Sequence, residues 1–135
     1  MPTIQARYVG NLRTEATHLQ SGNTIITDAP TDNHGKGEAF SPTDLVCAAL
    51  GSCMMTIMAI AAQKENIDLT GVTYQITKHM TSQPRKIKQI DIVFEFPNHN
   101  YTETQKQFLQ QIAHTCPVGL SLHPDIVQNI VFNFA

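Results

Sequence analysis

The segment from Leu45 to Ala62 (LVCAALGSCMMTIMAIAA), 18 residues without a charge, constrains the fold of this chain most. A helix that is apolar on every side must be buried on every side. In front of it, Ser41-Pro42-Thr43-Asp44 reads as a helix start, with Ser41 as N-cap, Pro42 at the first helical position and Asp44 closing a capping box. The length sits at the lower edge of what crosses a bilayer. Yet the segment is rich in Ala, Gly, Ser, Thr and Cys, has no flanking aromatic belt or basic cluster, and is bracketed closely by Asp44 and Lys64. The expectation is therefore a buried central helix reaching about Glu65 or Asn66, and no membrane.

The chain has 135 residues, which argues for a single domain spanning 1–135. At that size about two-thirds of the unfolded surface can be buried, so neither disulfides nor metal are needed for a core. Apolar residues make up 41%, which excludes a disordered chain, and charged residues only 15%. The formal net charge of −2, with no run of one sign, offers no electrostatic footprint for nucleic acid. The opening Met-Pro-Thr-Ile-Gln-Ala-Arg lacks the apolar core of a signal peptide, so the expected compartment is the reducing cytoplasm.

Around the helix the pattern is mostly β. Ile4–Val9 and Leu12–Leu19 read as strands joined at Gly10-Asn11, and 23–28 as a third strand. A polar loop, 29–40, leads to the helix. Strands follow at Val72–Met80 and Ile87–Phe96. In the latter Ile90, Ile92, Phe94 and Phe96 share one face while Gln89, Asp91 and Glu95 share the other. Thr102 and Gln105 form a second capping box for a helix to about Thr115. Cys116-Pro117 starts a short further helix, and Ile126–Phe134 is a last strand. The order βββ-α-ββ-α-β, with hairpins rather than βαβ repeats, indicates an α+β fold.

The chain has three cysteines. Cys47 and Cys53 lie about 120° apart around one helix, so they cannot pair or chelate one ion together. Cys47 reads as core packing. Cys53 follows Gly51 and Ser52, small residues that leave room beside it. Cys116 sits at a helix start, where unpaired N–H groups favour a thiolate. Cys53 and Cys116 could meet as a redox pair; equally, all three could be small core hydrophobes. His114, Cys116 and His123 match no closed zinc set, and no metal or other cofactor is expected. Met54, Met55 and Met58 fill an irregular core or line an apolar approach for a substrate.

The run Phe40-Ser41-Pro42-Thr43-Asp44-Leu45-Val46-Cys47-Ala48-Ala49-Leu50-Gly51-Ser52-Cys53 resembles the signature of the OsmC/Ohr family of thiol peroxidases: a Pro-started, Ala-rich central helix with the reactive cysteine about eleven residues after the proline. Thr115-Cys116-Pro117-Val118, ahead of a C-terminal strand, matches the context of that family's second cysteine. The resemblance implies an OsmC-like fold, antiparallel sheets wrapped around the long central helix of an intertwined homodimer. It further implies that Cys53 is the peroxidatic thiol and Cys116 the resolving one, closing a disulfide that a lipoyl-like or small dithiol reopens. It also implies an arginine from the N-terminal strands beside the thiol. Arg13 matches best, Arg7 less well, and Arg85 lies outside that region. Its carboxylate partner departs from the family pattern: the two positions after Pro42 hold Thr43 and Asp44, so Asp44 is one candidate and Glu38 of the preceding loop the other.

Three functions compete. One is a cysteine-based peroxidase for organic hydroperoxides, extending to hydrogen peroxide. Another is a non-enzymatic relative that binds an apolar ligand or senses oxidant. The third is a hot-dog-type thioesterase, in which Asp44 would lack a second acid–base partner and the cysteines a role. The low charge content and the helix without a polar face also lead to the expectation of an obligate homodimer that partly buries the helix against the partner, with the reactive site near the subunit boundary.

Overall fold

Residues 11 and 12 set the register of the N-terminal sheet. In the computed structural model, which describes residues 1–97 and 100–135, strands β1 (Ile4–Gly10), β2 (Arg13–His18) and β3 (Thr24–Asp28) pair antiparallel in that order. The β1–β2 turn is centred on Asn11 and Leu12, with φ of 56° and 64°. That is one residue later than the expected Gly10-Asn11, so Leu12 is a turn residue and β2 begins at Arg13. A leucine in the left-handed region is strained. Both of its main-chain groups are tied down: its N–H donates to the Tyr8 hydroxyl (3.2 Å), and its carbonyl accepts from the Ala29 N–H (3.2 Å).

This sheet belongs to the first of two compact units, residues 1–46 and 47–135. It buries little. Thr27, Asp28 and Ser41 are its buried side chains, whereas Ile4, Tyr8 and Ile25, which share one sheet face by register, stand 57%, 67% and 47% exposed.

Helix α1 (Pro42–Lys64) begins with the expected capping box. The Asp44 N–H donates to Ser41 Oγ (3.1 Å), and the Ser41 N–H donates to Asp44 Oδ2 (3.0 Å). Its length and apolar composition would suffice to cross a bilayer, a property that buried core helices share, and 33% of its most apolar stretch is buried within the chain.

In the second unit, strands β4 (Thr73–Thr81), β5 (Lys86–Phe96) and β6 (Val127–Phe134) form one sheet in that order. A four-residue turn joins β4 to β5, so that pair is antiparallel. The path from β5 to β6 runs through helices α2 (Glu103–Ala113) and α3 (Pro117–Ser121). A helical crossover delivers a strand parallel to its neighbour, and β5 and β6 are indeed parallel. The expected antiparallel pairing holds in the first sheet and between β4 and β5, and the parallel β6 makes the second sheet mixed.

The core of the second unit follows from two periodicities. Cys47, Leu50, Met54, Met58 and Ala62 recur every three or four residues on α1 and are buried together. Ile90, Ile92, Phe94 and Phe96 alternate on β5 and are each at most 1% exposed. Leu109, Ala113 and Cys116 join them from the crossover. Phe96 stacks on Phe134 with ring centroids 4.4 Å apart, and Phe94 on Phe132 at 5.5 Å. Gly51 lets β4 come close to the helix: a Cβ there would stand 2.7 Å from Ile76 Cδ1 and 3.0 Å from Tyr74 Cε2. The α2 capping box of Thr102 and Gln105 is present as expected.

Candidate functional site

The candidate site residues fall into two clusters, one in each unit. In the second unit Cys53, half-buried on α1, adjoins the Cys116 side chain closely enough to act on its ionisation, and both are free thiols. The fold achieves this through the crossover: α2 ends at Ala113, and Pro117 starts α3 with Cys116 as its N-cap residue. Cys116 is 1% exposed, and its Sγ accepts the Gly119 N–H at 3.3 Å. The expected stabilisation of a thiolate at this helix start is outweighed. Burial pushes the Cys116 thiol up, the adjoining Cys53 adds to the rise, and the N–H groups of Gly119 and Val118 offset it in part. The pair is therefore asymmetric, with a half-buried cysteine on the long helix and a buried one at the start of α3. Cys47 lies in the apolar core, 3% exposed. Met54 and Met58 are also core residues, whereas Met55 lines a groove of about 450 Å³ with Ala59, Ile67, Leu69 and Val72.

In the first unit Arg13, at the start of β2, reaches two carboxylates. Its Nη2 lies 2.9 Å from Glu38 Oε1 and 3.5 Å from Asp28 Oδ2. Asp28 has a fully buried side chain. Its Oδ2 accepts the Glu38 N–H at 2.9 Å, and its Oδ1 has no partner. That N–H contact, more than Arg13 itself, holds the Asp28 carboxyl below its ordinary value, with burial working in the opposite direction. Of the two candidates for the arginine's partner, Glu38 is the one in contact with it, while Asp44 closes the α1 capping box. Arg7 pairs instead with Glu15 across β1 and β2 (3.3 Å). Asp28 was not legible as a site residue, because a lone aspartate at a strand end is a common turn signal. Among the described residues no group of three or more His, Cys, Asp or Glu side chains is arranged to hold a metal.

The family model described as OsmC-like protein matches residues 35–130, most of the chain. The chain belongs to the OsmC-like family. Among solved structures, a Psychrobacter arcticus protein provisionally named an osmotic stress induced and detoxification response protein is 47% identical, with 98% of this chain and 96% of that one covered and a TM-score of 0.94. The Legionella pneumophila organic hydroperoxide resistance protein OsmC shares 16% identity over 98% of each chain, with a TM-score of 0.76. The Bacillus subtilis organic hydroperoxide resistance protein OhrB shares 17% over 96% of each, with a TM-score of 0.68. These two likenesses speak to the fold, which is thus an OsmC-like α+β fold. No curated protein matches the chain.

Proposed function

We propose that this OsmC-like protein detoxifies organic hydroperoxides as a two-cysteine peroxidase. The observation that carries the reading is the contact between the Cys53 and Cys116 side chains, brought together from two distant helix segments. Family membership, and a close relative named for stress and detoxification, support the same role. The Cys53 thiolate attacks one oxygen of the hydroperoxide; the O–O bond breaks, and the leaving alkoxide takes a proton to become an alcohol. Cys53 is left as a sulfenic acid. The Cys116 sulfur then attacks the Cys53 sulfur, the disulfide forms, and the departing hydroxide is protonated to water. A small dithiol, itself oxidised to a disulfide, restores both thiols by exchange. The half-exposed position of Cys53 suits the step that must meet an external substrate, and the buried Cys116 suits an internal one. The family resemblance assigns the fixed positive charge to Arg13, which Glu38 and Asp28 hold within the first unit.

We also propose that the working species is a cytoplasmic homodimer. The exposed Ile4, Tyr8 and Ile25 face and the incompletely buried α1 support a second copy as cover.

Thiol titration before and after one equivalent of an alkyl hydroperoxide, with mass mapping, tests the mechanism. Two thiols should disappear into a Cys53–Cys116 linkage. Cys53→Ser should abolish turnover, and Cys116→Ser should allow one oxidation and then leave a sulfenic acid open to over-oxidation. If three thiols survive while the peroxide is untouched, the non-enzymatic reading takes its place.

A further inference from the structure

Gln128 is the odd residue of β6. Of the half-buried positions of that strand, Ile130, Phe132 and Phe134 are apolar and pack on the core, but the fourth is a glutamine. Its register partner on β5 is the fully buried Ile90. A polar amide at such a place is unfavourable unless it is hydrogen-bonded. Its Nε2 donates to the Gly119 carbonyl at 3.0 Å. That carbonyl lies in α3, which ends at Ser121, so no intrahelical N–H four residues on is available to it. The N–H of the same Gly119 donates to Cys116 Sγ at 3.3 Å. Space is tight throughout: a Cβ on Gly119 would stand 3.0 Å from Gln128 Oε1, 3.3 Å from Cys116 Sγ and 3.4 Å from Leu50 Cδ1. Gly119 thus links the two, held by the amide at its carbonyl and aimed at the sulfur by its N–H.

We propose that Gln128 is a positioning residue for Cys116: it clamps the Gly119 carbonyl, keeps the α3 turn with its N–H on the sulfur, and so favours the thiolate that closes the disulfide. The inference rests on the redox reading given above. In that step the S–S bond forms as the S–O bond of the Cys53 sulfenic acid breaks, and the proton of the Cys116 thiol ends on the departing hydroxide, which leaves as water. Burial opposes ionisation of Cys116, Cys53 on α1 is the titratable group in contact with it, and the N–H groups of Gly119 and Val118 work the other way. Losing the aim of one of them should therefore be visible at the sulfur.

The test uses the full chain carrying Cys53→Ser, which removes peroxide chemistry and leaves Cys116 as the reporter. Iodoacetamide alkylation is followed against pH, and peptide mapping separates Cys116 from Cys47. Gln128→Met keeps the side-chain length without the donor. It should raise the Cys116 midpoint by about 0.5–1 pH unit, and slow alkylation below the midpoint roughly 3- to 10-fold. Gly119→Ala, which pushes a methyl between amide and sulfur, should shift the midpoint the same way. The double variant should go no further than the larger single one. With Cys53 restored, Gln128→Met should slow disulfide closure relative to the first oxidation, so that dimedone traps more sulfenic acid. An unchanged Cys116 midpoint in either variant, folded by near-UV circular dichroism, overturns the proposal and leaves the redox reading standing. If both variants unfold, Gln128 is a structural residue and the proposal falls. A parent chain that consumes no peroxide overturns the redox reading, whatever the alkylation profile.

Discussion

The two units of this protein treat apolar residues in opposite ways. In residues 47–135, helix α1, strand β5 and the crossover bury leucine, isoleucine, methionine and phenylalanine side chains to near-zero exposure. In residues 1–46, isoleucines and a tyrosine stand on an open sheet face while the buried side chains are a threonine, a serine and an aspartate. The difference is one of layers. The second sheet has a helix against it, and a sheet face is stable only when something apolar covers it. The first sheet has no such layer of its own. What it does have is the charge cluster around Arg13, with the fully buried Asp28 carboxylate in it, whereas the cysteine pair lies in the unit with the stronger core.

That contrast can be broken by mutation, and the largest effect should come from the core. Phe94→Ala removes a fully buried ring packed against Tyr74 and Phe132. It should cost about 3–5 kcal/mol, measured by urea unfolding. The Arg13→Met variant asks whether the charge cluster serves the sulfur chemistry. It should slow peroxide consumption about tenfold or more, and it should also lower the unfolding midpoint, because the fully buried Asp28 carboxylate loses a counter-charge. An unchanged rate would confine Arg13 to the sheet.

Ile25→Asp on the open face should separate assembly from folding. Light scattering at micromolar concentration should show a homodimer for the parent and a weakened one for the variant. A well-folded 15 kDa parent species would instead remove the second copy as the cover for that face.

The pH responses of the two clusters should differ in sign. Asp28 has its carboxyl lowered by folding, so its contribution is present above the unfolded value of about 3.9 and is lost as pH falls through the lower folded value. Asp28→Asn should therefore flatten the acid limb of the stability profile. Cys116 has its thiol raised by burial, and in the Cys53→Ser chain its alkylation midpoint should lie above the ordinary value of about 8.5. A midpoint at or below that value would mean that the N–H groups outweigh burial. The smallest effect belongs to Leu12→Gly, which relieves a left-handed leucine and should stabilise by about 1 kcal/mol or less.

Elements whose cause is local were legible in the sequence. Ser41-Pro42-Thr43-Asp44 and Thr102 with Gln105 announce their helices through side chains that bond the backbone three residues away. The alternation Ile90, Ile92, Phe94, Phe96 sorts β5 into two faces without reference to any neighbour. Cys53 and Cys116 could be named as candidates for the same reason, since each sits in a short motif. Their contact could not be derived from spacing, because it depends on the length and direction of the crossover that separates them. That crossover also made β6 parallel to β5, a pairing invisible to strand patterns that carry no direction. The turn at Asn11 and Leu12 defeated local reading too, since its strained leucine is held by Tyr8 and Ala29 rather than by its own preference. Arg13 illustrates the division most clearly. The family resemblance singled it out as a candidate, whereas the carboxylates it pairs with, Glu38 and Asp28, lie far along the chain and meet it only because β3 pairs with β2 and the following loop folds back. Motif and periodicity determine which residues can do chemistry; strand pairing and crossovers, which close contacts over long stretches of chain, decide which of them meet.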